Sequence, residues 1–260
     1  MNEVDVSKFM NGALDGYERI KLEDLPAETM MERMDRKFLT SYSRIPDLLP
    51  GLQNHYNAIE AAGSVVAPYK TLYFDTEDFA FYRMHHRGFG NRVKVRYRHY
   101  PCTDTTFLEV KRKSNKGFTS KERIMTDGVR LNLDSESREF LNRQLPEIPA
   151  STLKSGARIE YTRLGFIAKG GNERFSVDFN MKAYFRDAEV SFGKLAIFEV
   201  KQDAMRTTPV VAHLRERGVR EESVSKYCTA LSLLNPLLRS NLFKPAIRRI
   251  QKIDNEAAYQ

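Results

Sequence analysis

Arg92-Val93-Lys94-Val95-Arg96-Tyr97-Arg98-His99-Tyr100 is the stretch from which the fold is read. Side chains alternate faces along a strand. The even positions hold Arg92, Lys94, Arg96 and Arg98, and the odd positions Val93, Val95, Tyr97 and His99. The spacing predicts a strand with four cations on one face and mostly apolar groups on the other. The same phase recurs downstream. In 107–113, Glu109, Lys111 and Lys113 oppose Leu108 and Val110, with Arg112 out of phase. In 174–180, Arg174, Ser176, Asp178 and Asn180 oppose Phe175, Val177 and Phe179. In 195–201, Glu199 and Lys201 oppose Ala196, Phe198 and Val200. An open sheet with one wet face is the plainer alternative. Directly opposed like charges destabilise a strand pair, however, and the acids on these faces are only Glu109, Asp178 and Glu199. The pattern points to a basic cavity or tunnel for polyanions, with carboxylates to hold a metal cation.

Around these strands the chain reads as α+β. Further strands are predicted over 69–75 and 158–168, with Gly170-Gly171-Asn172 as a hairpin turn. Helices are predicted over 17–25, 44–62, 135–145, 204–217 and 222–234, and a short helical connection over 75–87. The 44–62 helix rests on Ile45, Leu48, Leu49, Leu52, Tyr56 and Ile59, which fall on one helical face. Asp75 is expected to cap the helix that follows it. His85 and His86 are expected at the surface, and Cys228 as a buried small hydrophobe. The tail carries Ile247, Ile250 and Ile253 at three-residue spacing, as in a last surface helix or a frayed end.

Composition narrows the function. The 260 residues carry 42 Lys and Arg against 34 Asp and Glu, a net charge of +8, so an anionic partner is expected. A hydrophobic share of 41% supports a packed core and excludes a disordered chain. No apolar run of about 18 residues is present, so no membrane-crossing helix is expected. The start lacks the pattern of a secretory signal. Two cysteines, Cys102 and Cys228, exclude a disulfide scaffold and a cysteine-rich zinc site, and fit a cytoplasmic location. A nucleic-acid module would want aromatics interleaved with the cations. Tyr97 and Val95 point away from them, so nucleic acid is an unlikely partner.

Eight short motifs then appear in order: RMDRKF (33–38), TLYFDTEDFAFYRMHHRG (71–88), VKVRYRHY (93–100), FLEVKRKSNKGFTSKERI (107–124), YTRLGF (161–166), RFSVDFN (174–180), LAIFEVKQD (195–203) and VSKYCTALSLL (224–234). This series resembles the catalytic domain of the vacuolar transporter chaperone family, the polyphosphate polymerases, within the triphosphate tunnel metalloenzyme or CYTH superfamily. The resemblance implies a closed eight-stranded antiparallel β-barrel with flanking helices. It implies a layout of an N-terminal extension with a short helix (1–30), a tunnel-fold catalytic domain (31–234) and a basic C-terminal tail (235–260). It implies ATP and inorganic polyphosphate as ligands, Mn²⁺ or Mg²⁺ as cofactor, and peripheral association with a membrane partner. Carried over residue by residue, it assigns Lys37, Arg96, Arg98, Lys111, Arg163, Arg174 and Lys201 to catalysis. Lys113, Lys121, Arg123 and Lys226 bind substrate, and Glu199 and Glu109 bind metal. Many tunnel enzymes open on Glu-x-Glu-x-Lys, where this chain has Arg33, Asp35 and Lys37. That argues against a two-carboxylate metal site on the first strand. A triphosphate hydrolase or nucleotide cyclase of the same fold, or a non-catalytic polyphosphate or nucleotide binder, remain the alternatives.

Overall fold

A computed structural model describes residues 12–25, 34–115, 119–171 and 173–256. Its strands are β1 (Arg19–Lys21), β2 (Met34–Ser41), β3 (Tyr56–Glu60), β4 (Val66–Thr76), β5 (Arg92–Tyr100), β6 (Thr105–Lys113), β7 (Thr119–Thr126), β8 (Leu153–Ala168), β9 (Glu173–Phe185), β10 (Ala188–Ser191) and β11 (Leu195–Gln202). The helices are α1 (Ile45–Leu48), α2 (Ala80–His86), α3 (Ser135–Gln144), α4 (Pro209–Glu216), α5 (Lys226–Leu234) and α6 (Lys244–Glu256). None of them is long and apolar enough to cross a membrane.

The strands join in one sheet whose main path runs β2-β11-β9-β8-β4-β5-β6-β7, with β1, β3 and β10 attached at its side. All pairings are antiparallel except β1 with β3. The expected closed, eight-stranded barrel is therefore corrected: the sheet has 11 strands, and among the described residues no ladder joins β2 to β7. It still curls far enough for Lys111 on β6 to reach Asp35 on β2, Nζ to Oδ2 2.9 Å. An ion pair spans the seam where backbone hydrogen bonds would close a barrel.

The charge phase explains the curl. On β5 and β6 the apolar side chains Val95, Tyr97, Leu108 and Val110 are fully buried on the outer face, under Phe140 and Leu141 of α3. The out-of-phase Arg112 also turns outward, where its Nη1 donates to Gln144 Oε1 of α3 at 3.2 Å. Beneath β9, β11 and β2, Phe38, Phe175, Val177, Phe198 and Val200 pack on α1 and α4. Burying such a side chain contributes about 1.5–3 kcal/mol. Helices thus cover the outside, and the cationic faces turn inward.

The predicted 44–62 helix is replaced by the one-turn α1, a loop and β3. The helix stops at Leu48, ahead of Pro50, and Gly51 at φ +97°, a left-handed conformation, turns the chain away. Ile45, Leu48, Leu49, Leu52 and Tyr56 are nonetheless all buried. The 17–25 helix is instead β1 followed by a 3₁₀ turn at Leu22–Asp24. Arg33 and Asn172 lie outside the described residues.

Asp75 does cap α2. Its Oδ1 accepts from the amide of Phe81 and its Oδ2 from the amide of Tyr82, at 2.8 and 3.0 Å. The Tyr227 hydroxyl donates to the same Oδ2 at 2.7 Å, which ties α5 to the end of β4. Hydrogen bonds to a buried charged group contribute about 1.5–3 kcal/mol each. Asp75→Ala is expected to lower unfolding free energy by about 3 kcal/mol or more in urea titrations. Exposed Asp78→Ala is the control, with a change within about 0.5 kcal/mol. Equal small effects for both would remove this cap from the account.

Candidate functional site

The curl encloses a cavity of about 650 Å³. Eleven cations line it: Lys37, Lys94, Arg96, Arg98, Lys111, Lys121, Arg123, Arg163, Arg174, Lys201 and Lys226. The strand registers explain why they converge. Lys94, Lys111 and Lys121 lie directly across from one another on β5, β6 and β7. Lys201 and Arg174 likewise face each other on β11 and β9. Direct opposition of like charges opposes pairing, so each crowded row needs relief.

Four carboxylates supply it, and all four sit opposite a cation in register. Arg96 faces Glu109, Arg163 faces Asp178, Lys37 faces Glu199, and Lys201 faces Asp35. Glu109 is 1% exposed; its Oε2 accepts from Arg96 Nε at 2.8 Å, and its Oε1 lies 3.7 Å from Lys121 Nζ. Burial favours its neutral form, but Arg96, Arg98 and Lys121 outweigh that and hold the carboxyl well below the usual range. Asp178 is fully buried and clamps two groups at once. Arg163 donates to it through Nε and Nη2 at 2.5 and 2.7 Å, and Lys226 Nζ donates to Oδ2 at 2.5 Å. Burial again opposes ionisation, yet Arg163 and Lys226 bring this carboxyl down to about 2. Glu199 Oε1 lies 3.5 Å from Lys37 Nζ, and its Oε2 lies 4.0 Å from Arg163. Burial notwithstanding, Lys37, Lys201, Lys226 and Arg163 keep it ionised well below its ordinary value. Asp35 carries Lys111, and its other oxygen, Oδ1, is buried with no hydrogen-bond partner.

Two assigned positions fall elsewhere. Lys113 is exposed at the end of β6 and does not line the cavity. Glu109 is taken up by Arg96 beneath the lining, so its geometry suits orienting that guanidinium more than ligating a metal. Lys226 would normally face water from its place off the apolar stripe of α5. It lies instead over the Tyr161 ring, held by Asp178. His85 and His86 are packed and not at the surface. His85 Nδ1 lies 3.1 Å from Cys228 Sγ, and His86 stacks on Tyr82. Burial, with Lys94 and Arg92 nearby, pushes the His85 ring down to about 3. Cys228 is fully buried, and neither cysteine forms a disulfide.

The sequence reading left out Lys94, although it shares the phase of Arg96. Its Nζ donates to Ser225 Oγ, the N-cap of α5, at 3.1 Å. Burial first, then Lys111 and Lys37, push its ammonium pKa down. Aromatic rings were missed as well. On β5 itself Tyr100 follows Arg98 on the cationic face, and β4 and β8 deliver Tyr69, Tyr73 and Tyr161 to the same cavity. Arg163 lies over both Tyr69 and Tyr161, and Arg98 over Tyr69. Such contacts hold guanidinium planes in place while leaving their edges for anion oxygens.

Among the described residues, no cluster of three His, Cys, Asp or Glu side chains is placed to ligate a metal. Glu199 and Asp35 provide hard oxygen donors from neighbouring strands, and the unpartnered Asp35 Oδ1 is an available one. Mg²⁺ is commonly bound through one or two carboxylates plus substrate phosphates, so this donor set fits such an ion once a phosphate ligand is present. Asp35 is the one acid of the Arg33, Asp35 and Lys37 pattern, and Arg33, which stands in place of the other, lies outside the described residues.

A family model described as VTC domain matches residues 32–235. No curated protein matches the sequence. Similar solved structures include a candidate adenylate cyclase from Bacillus halodurans, 13% identical, with a TM-score of 0.44 over 75% of this chain and 95% of that one. A Pyrococcus horikoshii OT3 protein is 10% identical, with a TM-score of 0.45 over 78% of this chain and 99% of that one. A candidate adenylyl cyclase from Hippeastrum, described as having a dominant triphosphatase activity, is 14% identical, with a TM-score of 0.45 over 76% and 94%.

Tyr73 reports on the cavity's charge. Burial would raise its phenol, but Arg96, Lys94 and Arg98 outweigh burial and bring it down to about 8. Ionisation adds one negative charge to the lining, so anion affinity is expected to fall as pH rises through about 8. A bound anion must by linkage raise the Tyr73 midpoint. Near-ultraviolet titration of the twelve tyrosines should show one ionising near pH 8, absent in Tyr73→Phe and shifted upward by tripolyphosphate. A wild-type titration in which no tyrosine ionises below about pH 9.5 would contradict the electrostatics described.

Proposed function

Because this chain belongs to the VTC domain family, we propose that it is a metal-dependent ATP–polyphosphate phosphotransferase that extends a polyphosphate chain within the basic cavity. One observation carries this reading: among the described residues, eleven cations converge on one cavity, with the carboxylates Asp35, Glu109, Asp178 and Glu199 set among them. A polyanion complements a lining this basic. Phosphoryl transfer demands mainly positioning and charge stabilisation from the protein, and those are what this lining offers.

In this reading Arg96 and Arg98 grip the donor triphosphate through guanidinium forks, which match phosphate oxygens better than lysine does. Glu109, the Tyr69 ring and the Tyr161 hydroxyl fix their planes. Lys37, Lys111 and Lys226 crowd near Glu199 or Asp35, with Lys94 close to Lys37 and Lys111, and they neutralise charge that develops on the transferring group. Arg163, held on two sides by Asp178 and Tyr69, extends the cationic path toward Arg174 and Lys201. Glu199, with Asp35 beside it, would hold Mn²⁺ or Mg²⁺, which when bound neutralises phosphate oxygens. The terminal phosphate of the acceptor is already nucleophilic, so no side chain needs to remove a proton from it. Attack in line on the γ-phosphate forms the new phosphoanhydride bond and breaks the β–γ bond, and ADP leaves. If water were the acceptor, the same cavity would act as a triphosphatase.

Incubation of purified protein with ATP and Mn²⁺ distinguishes these outcomes. Long-chain polyphosphate is the expected product, and orthophosphate alone would replace the polymerase reading with hydrolysis. Glu199→Gln is expected to lower kcat by about 10²–10³ while preserving much of the nucleotide binding, since the cations remain. Arg98→Ala should weaken binding and turnover together. Full activity of Glu199→Gln at saturating metal would place the metal elsewhere.

A further inference from the structure

At one end the cavity changes character. Beyond Arg98 and Arg163 the lining becomes aromatic and apolar, at the turn between β5 and β6 and along the start of β4. Tyr69 meets Tyr100 edge-on at 5.0 Å between ring centroids, and Tyr100 meets Phe107 at 6.1 Å. Arg123 stacks over Phe107 with its guanidinium carbon 4.3 Å from the ring centroid. Leu22, Val65 and Pro68 line the same mouth, and Leu22 is 48% exposed. Tyr100 and Phe107 are themselves only partly buried.

This surface has no use for an inorganic phosphate chain, whose oxygens seek donors and not rings. A flat, weakly polar ring gains from it, by stacking on partly exposed aromatic and guanidinium planes. The strip is continuous with the cations, because Arg98 and Arg163 both rest on Tyr69. A ligand that joins a flat ring to a triphosphate would span the two parts.

We propose that Phe107 and Tyr100, with Arg123, form a nucleobase platform that distinguishes a nucleoside triphosphate from inorganic polyphosphate. The proposal rests on the preceding reading of the cavity as a triphosphate site, and it assigns donor choice to this mouth. The growing polyphosphate, having no base, would draw on the cations alone.

Calorimetric titration of ATP and of inorganic tripolyphosphate into wild type, Phe107→Ala and Phe107→Tyr tests it. Phe107→Ala should weaken ATP about tenfold, in the range of base-stacking losses on alanine substitution, and leave tripolyphosphate unchanged. Phe107→Tyr should restore ATP. Equal losses for both ligands, or no loss for either, would overturn the platform. Wild type binding tripolyphosphate but not ATP would also overturn it while sparing the charge-based site. Wild type binding neither would overturn the cavity reading and the platform with it. A measurement on the unaltered protein is independent of any folding defect. Cys102 lines this mouth and is partly exposed, whereas Cys228 is fully buried. ATP should slow alkylation of Cys102 and tripolyphosphate should not; equal protection by both would count against a base at this mouth.

Discussion

Cations that face one another across a narrow cavity repel, and the sheet can curl around them only where carboxylates are placed to hold them. Asp178 is the clearest case. It is fully buried, and it joins Arg163 of β8 to Lys226 at the start of α5. Removing one partner of such a buried pair typically costs about 3–5 kcal/mol, because the remaining charge is left uncompensated. Here two charges would be left. The same residue therefore sets the position of the C-terminal helix and the orientation of two lining groups. Asp35 has the corresponding part at the seam, where its pair with Lys111 links β2 to β6 in place of a ladder.

At Lys94 and Arg98 the offset is incomplete. Lys94 has a hydroxyl and not a carboxylate against its ammonium, and burial pushes its pKa down. Arg98 is 9% exposed, and its Nε has no hydrogen-bond partner. Unsatisfied buried groups of this kind are costly in an empty protein. In the proposed reading a polyanion would satisfy them, because charge-assisted hydrogen bonds to phosphate oxygens are about twice as strong as neutral ones.

Much of this was legible in the sequence where the information is local. β5 and β6 cover the stretches read from alternation, 92–100 and 107–113, and Lys94, Arg96, Arg98 and Lys111 face the cavity as the phase required, although Arg92 and Lys113 do not line it. Asp75 lies a few residues before the helix it caps, so its role could be read from position. What failed was information that is not local. Tyr56 and Ile59 continue the 3.6-residue pattern of α1 yet belong to β3, because Gly51 turns the chain between them. β7 shows no clean alternation, since as an edge strand it mixes Lys121, Glu122 and Arg123 without a buried outer face. Asp35 and Lys111 are 76 residues apart, and only the curl brings them together. Tyr69, Tyr73 and Tyr161 reach the cations from neighbouring strands, so inspection of β5 alone could reveal only Tyr100.

Thermal unfolding of the protein with and without inorganic tripolyphosphate, at matched ionic strength, tests most directly whether the cavity is built for a polyanion. A ligand present at about 100 times its Kd adds about 2.7 kcal/mol to stability. The account predicts a rise in Tm that grows with tripolyphosphate concentration and greatly exceeds that in sulfate. Equal shifts in the two salts, or none, would contradict it.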